Sequence, residues 1–286
     1  MRRAKENSTC LHFAFYYVRL PSSNRKQEIA MAPSLKKPAE LVDVIESTKL
    51  TLHDRRIYNL LVNNAYATIT EDKEHSIRKT ELAVITQYRN ARLGDCIENL
   101  MGSVVRLRSV RDGTRVLTRV QLLGATSEEY DRDGRIYYRF PPELRLVLAD
   151  NVAYARLKTE VMVALSSKYA LALYEMVQRR GNLTYQHQET FTVAEFRELL
   201  GVPKGKLTSF SNFNARAVKP AVLEVNSLAD FGVHVEPLKL GGKEVLEIRL
   251  SWWKKSVEEL KQVYNELNYS KVGRRARVRQ TVEDVI

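Results

Sequence analysis

Apolar residues recur at helical spacing between Ser209 and Asn226, and polar residues occupy the opposite side. The apolar stripe consists of Phe213, Ala217, Val218, Ala221, Val222 and Val225. Asn212, Arg216 and Lys219 follow one another at i, i+4 and i+7 on the other side. All three side chains donate hydrogen bonds, and Arg and Asn are the usual partners of guanine and adenine in the major groove of DNA. The pattern therefore predicts a helix with a DNA-reading face, with a solvated surface helix as the alternative.

Pro220 lies inside this predicted helix. A proline at such a position removes one backbone hydrogen bond and costs about 3 kcal/mol. Because the apolar stripe continues on both sides of the proline, we expect one kinked helix rather than two separate helices.

Earlier in the chain, apolar spacing predicts three helices and then a change of period from helical to alternating. The helices are expected over 52–65, 80–88 and 93–101, with a short extended piece at 76–79. Strands over 104–108 and 115–120 flank Arg111-Asp112-Gly113, which is a hairpin turn signal. Another strand over 135–140 and a helix that starts at Pro141-Pro142 complete this unit.

The same order of elements returns after Ser166. Helices are predicted over 166–180, after the Thr192–Glu195 capping box, and over 209–226. Two strands over 230–240 and 243–253 follow, and a last helix starts at the Ser256–Glu259 capping box. Each unit thus reads helix, short strand, helix, helix, hairpin. This order predicts an α+β fold of two tandem winged-helix domains, in which a helix-turn-helix is followed by a β-hairpin wing.

The predicted elements divide the chain into five parts. We expect a loosely ordered N-terminal arm over 1–40, a first winged-helix domain over 41–150, an extended connector over 151–165, a second winged-helix domain over 166–268 and a basic tail over 269–286. The second domain is expected to perform the main DNA recognition. Translation from Met1 and translation from Met31 both remain open.

The net positive charge of the chain indicates a polyanionic partner. The chain of 286 residues carries a formal net charge of +12, which favours nucleic acid first and an anionic membrane surface second. No apolar run approaches the roughly 18 residues of a membrane helix. The two cysteines, Cys10 and Cys96, are typical of a reducing compartment rather than of a disulfide framework.

Candidate DNA contacts fall in both units. Those of the second unit are Lys204, Lys206, Thr208 and Ser209 for phosphates, and Asn212, Arg216 and Lys219 for bases and nearby phosphates. Those of the first unit are Arg92 and Asn99 on the third helix and Arg106, Arg108, Arg115 and Arg119 on the hairpin. Asp95 and Glu98 share the face of that helix and oppose close phosphate packing. For the hairpin, the alternative is a charged strand edge that prevents aggregation.

Three segments of the second unit carry a family resemblance: SSKYALALYEMV, FTVAEFRELLGVP and FNARAVKPAVLEVN. Together they resemble the second winged-helix domain of the iteron-binding plasmid replication initiators, the Rep family. Pro220-Ala221 and Glu224-Val225-Asn226 match the Pro-Ala and Glu-Ile-Asn that are typical of that family. The resemblance is specific over 166–253 and looser over 41–150.

The resemblance implies a concrete activity. Such proteins bind repeated sites of a plasmid origin as monomers, help to open the adjacent duplex, and recruit the host replication initiator and the replicative helicase. As dimers formed through the first domain they repress their own gene. The resemblance also implies a location in the bacterial cytoplasm, without a membrane partner.

Other function classes are less well supported by the residues. A winged-helix transcription regulator without a replication role is the main alternative. A DNA-nicking enzyme is disfavoured, because the five histidines are scattered and His187 in QHQ is not a His-x-His motif. GVPKGK at 201–206 departs from the phosphate-binding loop in spacing and in context. We therefore expect no enzymatic activity, no cofactor and no metal site.

Overall fold

The computed structural model describes most of the chain after residue 33. The described residues are 34–43, 45–46, 50–86, 91–111, 113–149, 154–181, 187–238, 244–274 and 276–278, with only the backbone at 45–46, 84–86, 91 and 108–111. All of them belong to one compact unit, Ala32–Ile286.

The first helix of the first domain, α1 (Leu52–Ala65), begins where the sequence indicates. The Thr51 hydroxyl accepts a hydrogen bond from the Asp54 N–H at 3.2 Å, and the Asp54 carboxylate accepts one from the Thr51 N–H at 2.8 Å. This reciprocal pair satisfies two donors that a helix N-terminus otherwise leaves open. Ile57 and Leu61 of α1 are fully buried, so that the helix forms the centre of the domain.

Around α1 the predicted order of elements is confirmed. The elements that follow are β3 (His75–Arg78), α2 (Lys79–Thr86), α3 (Ala91–Met101), β4 (Val104–Arg111) and β5 (Thr114–Gln121). The hairpin β4–β5 is joined at its β4 edge by β2 (Ile45–Glu46). A second small sheet has the order β3-β7-β6, with β6 at Thr126–Glu128 and β7 at Arg135–Tyr138. The helix α4 (Pro142–Ala149) follows β7.

The second domain repeats the order with one difference in pairing. Its elements are α6 (Lys168–Arg180), β9 (Gln188–Thr192), α7 (Val193–Leu199), α8 (Phe210–Phe213), a π-helical turn (Asn214–Val218), α9 (Lys219–Leu228), β10 (Phe231–Leu238) and β11 (Glu247–Lys254). Here the short strand β9 pairs with the hairpin itself, in the order β10-β11-β9. The prediction of two tandem winged-helix domains is confirmed.

Two expectations about the linking segments are wrong. Residues 34–40 are not a loose arm, because β1 (Ser34–Pro38) pairs antiparallel with β8 (Tyr154–Lys158) and a 3-10 turn (Ala39–Leu41) follows. Within the described part of the connector, from residue 154, the chain is extended in β8 and then forms the helix α5 (Thr159–Ala164). One face of β1 and one face of β8 are buried in the fold. The sequence SLKKP is too polar to indicate a buried strand, so the pattern of the chain does not predict this pairing. Residues 1–33 of the expected arm and 279–286 of the expected tail lie outside the described residues.

Polar contacts join the two domains through α6. The Lys37 ammonium donates to the Glu175 carboxylate at 2.7 Å, and the Asn59 amide donates to its second oxygen at 2.6 Å. All three residues are buried. Lys37 belongs to β1, Asn59 to α1 and Glu175 to α6. One buried cluster therefore connects the N-terminal strand β1, the first domain and the second domain. Arg180 adds a pair of hydrogen bonds to Asp43, both at 3.0 Å.

The last helix, α10 (Val257–Asn268), is more exposed than its apolar stripe predicts. Val263 is buried, whereas Val257, Leu260 and Tyr264 are exposed, the last at 61%. Tyr264 lies on the apolar stripe of this helix in the sequence, which favours a place in the core, but the structure leaves its side chain exposed. α10 packs on α9 and α5 at the outside of the fold, so it contacts the core along a narrow line. At the end of β11, Trp252 is buried and its neighbour Trp253 is exposed.

Candidate nucleic-acid interface

The helix predicted over 209–226 runs from Phe210 to Leu228, and we call its three consecutive segments together the recognition helix. The Ser209 hydroxyl caps it by accepting a hydrogen bond from the Asn212 N–H at 3.3 Å. The Phe213 ring is fully buried and meets the Phe196 ring edge-on, with centroids 6.4 Å apart. Ala217, Ala221 and Val225 continue the buried side. Packing therefore fixes one side of the helix and leaves the opposite side to the solvent.

Pro220 follows a π-helical turn, which is an outcome that the sequence pattern does not predict. The wider turn ends with the Lys219 N–H donating to the Asn214 carbonyl, and Pro220 occupies the first turn of α9. At such a position a proline costs little, because its missing N–H is not needed. The helix thus continues past the proline with a changed winding, and single π turns of this kind are frequent at functional sites.

Every candidate contact of the second domain is exposed. These residues are Lys204, Lys206, Thr208, Ser209, Asn212, Arg216 and Lys219. Ser211 and Ala215 belong to the same exposed stripe and were missed by the sequence pattern. A serine hydroxyl can contact a base or a phosphate, and an alanine methyl group can contact the thymine methyl group, so both suit a groove-facing position. Ser211 lies three residues after Thr208 and Ala215 three residues after Asn212, and this spacing is the signal that could have identified them.

The loop before the recognition helix is held from behind by Arg197 of α7. Its guanidinium lies 4.7 Å from the centroid of the Phe213 ring and donates to the Thr208 carbonyl at 3.2 Å. Gly205 has a φ of 77°, a region that glycine enters without strain. These features hold Lys204, Lys206 and Thr208 at the N-terminal end of the recognition helix, where backbone amides and cations are suited to phosphate groups.

In the first domain, the candidate residues are more dispersed. Arg92 and Asn99 are exposed on α3, and Asp95 and Glu98 are exposed beside them. One basic and two acidic groups on one helix make a mixed surface, unlike the acid-free exposed side of the recognition helix between Thr208 and Lys219. The third helix of the first domain therefore has the weaker electrostatic attraction to phosphates.

Arginines of the β4–β5 hairpin differ in their surroundings. Arg115 and Arg119 are exposed, and Arg119 lies opposite Arg106 in the strand register. The Arg106 guanidinium lies 3.4 Å from the Glu198 carboxylate of α7, so this side chain contributes to the contact between the domains. Arg108 lies opposite Leu117 in the register, and its side chain is outside the described part.

A cleft of about 1350 Å³ connects the two domains beside the recognition helix. Asn214 and Lys219 line it from the recognition helix, His53 lines it from α1, and His234 lines it from β10. The pKa of His53 is lowered by burial and by the charge of Arg56, and the charge of Arg92 at the start of α3 adds to the effect. Of the candidate DNA contacts, Lys219 lines the cleft, and the described candidates of the first domain do not.

Within the described ranges, no three His, Cys, Asp or Glu side chains are grouped in a way that could hold a metal ion. None of the helices described is both long and apolar enough to cross a membrane. The thiol of Cys96 is buried beside Asp54, and this burial raises its pKa to about 12.

Comparisons with known proteins agree with this architecture. A family model described as initiator replication protein, WH1, matches residues 34–178, and one described as initiator Rep protein, WH2, matches residues 192–252. No curated protein sequence matches the chain. Among solved structures, the Pi initiator protein in complex with iteron DNA matches with a TM-score of 0.56 and 14% identity, covering 80% of this chain and 100% of that one. At this identity the likeness shows a shared fold. The family models decide the membership: the chain belongs to the Rep family of plasmid replication initiators, with a WH1 and a WH2 winged-helix domain in tandem.

Proposed function

We propose that this protein initiates plasmid replication by binding directly repeated sites, or iterons, in its origin. The observation that carries the proposal is the exposed polar stripe of the recognition helix, whose other side is fixed by Phe213 and Ala217. Asn212 and Arg216 would read base edges in the major groove, and Lys204 and Lys206 would hold the adjacent phosphates. Membership of the Rep family and the likeness to an initiator solved with iteron DNA support this assignment.

The first domain would add contacts to the DNA backbone through Arg115 and Arg119 of its hairpin. It would also carry the subunit contact of a dimer that represses the gene of this protein. Opening of the neighbouring duplex and recruitment of the host initiator and the replicative helicase complete the proposal. The protein acts here as a non-enzymatic DNA-binding factor in the cytoplasm.

The test uses the DNA that flanks the gene of this protein. Footprinting of the full-length chain should show protection of repeats in the same orientation, next to an AT-rich segment. Each bound monomer should protect about two helical turns, since grooves on one face recur about every 10–10.5 base pairs. A scrambled repeat of equal length and composition serves as the control DNA.

Three other outcomes contradict the proposal in different ways. Protection of a single inverted repeat at a promoter, with no binding to direct repeats, would identify a transcription regulator. Strand cleavage in the presence of a divalent metal ion would identify a nicking enzyme. Equal affinity for the repeat and its scrambled version would mean that the recognition helix does not read sequence.

A further inference from the structure

The loop that follows α10 is held rigidly by two arginines. Arg274 donates to the Glu266 carboxylate at 3.2 Å and to the Glu266, Leu267 and Tyr269 carbonyls at 2.9 to 3.3 Å. Arg277 donates to both oxygens of the same carboxylate, at 3.1 and 2.8 Å, and to the Ser270 and Val272 carbonyls at 2.7 and 3.0 Å. The two guanidinium groups are therefore engaged within the protein, except for the buried Nη1 of Arg274, which has no hydrogen-bond partner among the described residues. The expected basic tail is at this point a folded loop, and Lys271 is one of its exposed residues.

Lys271 lines the same cleft as Lys219 of the recognition helix. His53 and His234 line the cleft from α1 and β10, and Arg56 and Arg274 form part of its walls. Arg56 holds the connector by donating to the carbonyls of residues 162, 163 and 165. The lining of the cleft thus includes one lysine of the recognition helix and one lysine of the loop after α10.

Carboxylates near this cleft are already bonded elsewhere. Glu224 lines the cleft and accepts hydrogen bonds from the Ser166 N–H at 2.6 Å and from the Ser166 hydroxyl at 2.5 Å. Glu266 is bonded to Arg274 and Arg277. The pKa of Lys271 is lowered by burial and by the charges of Arg56 and Arg274. An anion placed between cations that lie close together stabilises their charged forms.

We propose that Lys271 is a DNA-backbone contact, which together with Lys219 holds a phosphate of the strand that leaves the groove read by the recognition helix. The inference rests on the proposed function and extends the DNA-binding surface to the segment after α10. It assigns Lys271 a phosphate contact, which fixes position and carries no sequence information. A free polyphosphate such as a nucleotide offers the same chemistry and is the competing source of the phosphate.

Affinity measurements test the contact directly. Lys271→Gln should weaken binding to the origin repeat and to unrelated duplex by the same factor, about three- to tenfold at low salt, and should reduce the slope of log K against log salt by about 1. Lys261→Gln is the matched control, because Lys261 is an exposed lysine of α10 that does not line the cleft. If Lys271→Gln behaves like Lys261→Gln in affinity and in slope, the inference is overturned.

Amine labelling with mass-spectrometric readout distinguishes the two sources of phosphate. The full-length protein is acetylated alone, with the origin repeat duplex, and with ATP as the free polyphosphate. Lys271 should be protected by the duplex and not by ATP, while Lys261 is modified equally in all three samples. Protection by ATP without protection by the duplex would assign the cleft to a free ligand and overturn the DNA contact.

Repeat binding by the unmodified protein, measured in the same titration, tests the proposed function separately. When that binding is intact, an unprotected Lys271 overturns only the present inference. When the unmodified protein shows no preference for direct repeats, the proposed function is overturned, and the comparison of Lys271→Gln with Lys261→Gln on unrelated duplex still decides the backbone contact.

Discussion

Replacing Lys37 by methionine tests whether the strand β1, which the sequence analysis assigned to a loose N-terminal arm, contributes to the stability of the fold. Methionine keeps the apolar stem of lysine and removes the ammonium group. The Lys37 and Glu175 side chains are only 6% and 2% exposed, and their charged atoms are 2.7 Å apart. The substitution therefore leaves the Glu175 carboxylate in the interior with the Asn59 amide as its remaining partner in the cluster.

The expected cost follows from this burial. Removing one member of a buried ion pair destabilises a protein by about 3–5 kcal/mol, because the charge that remains is neither paired nor solvated. Lys36 on the same strand provides the matched control. It is exposed and lies 5.3 Å from the ring centroids of Tyr66 and Tyr154, so Lys36→Met should cost only about 0.5–1 kcal/mol.

Urea unfolding of the three proteins at pH 7 measures these differences. A double variant, Lys37→Met with Glu175→Gln, removes both charges and keeps an acceptor for Asn59. It should be more stable than Lys37→Met alone, since uncharged groups of similar shape often replace a buried pair at little cost. If Lys37→Met and Lys36→Met lower the free energy of unfolding equally, the buried cluster does not join the arm to the domains.

Two further predictions concern the recognition helix. Arg216→Ala should cost about 1–3 kcal/mol of binding free energy on the origin repeat and relax its sequence preference; an equal loss on unrelated DNA would instead assign Arg216 to a phosphate. Lys255 donates to the Asn226 and Ala229 carbonyls near the end of α9, and burial lowers its pKa from 10.5 to about 8. Because the unfolded chain then binds more protons between these two values, the wild-type protein should gain stability relative to Lys255→Met as pH rises from about 8 to 10.5. Unfolding curves across this range should show the widening gap, and parallel pH profiles would disprove the assignment.

Local signals in the chain account for much of the architecture. Apolar spacing identified α1, α6 and the recognition helix, and side-chain caps at Thr192 and Ser256 marked helix starts that the structure contains. Alternation and turn residues identified both hairpins. These features are readable because capping, periodicity and turn formation depend on residues that are close along the chain.

The exposed side of the recognition helix was also readable, since its polar residues follow from the position of the buried stripe. The π-helical turn was not readable from the sequence. Pro220 signals that a regular helix is interrupted, but the same proline allows a kink, a break or a wider turn. Packing of Phe213, Ala217 and Ala221 against the rest of the domain is compatible with the last of these.

Contacts between distant segments were decided by the tertiary structure alone. Lys37 pairs with Glu175 across 138 positions, and Arg106 pairs with Glu198 across 92. No local pattern distinguishes Lys37 from its exposed neighbour Lys36, because which face of β1 is buried depends on where β8 and α6 lie. The sequence by itself determined two winged-helix repeats and a polar recognition face. The joining of β1 to both domains, and the cleft whose lining includes both Lys271 and Lys219, required the complete fold, because each arises from segments that meet only after folding.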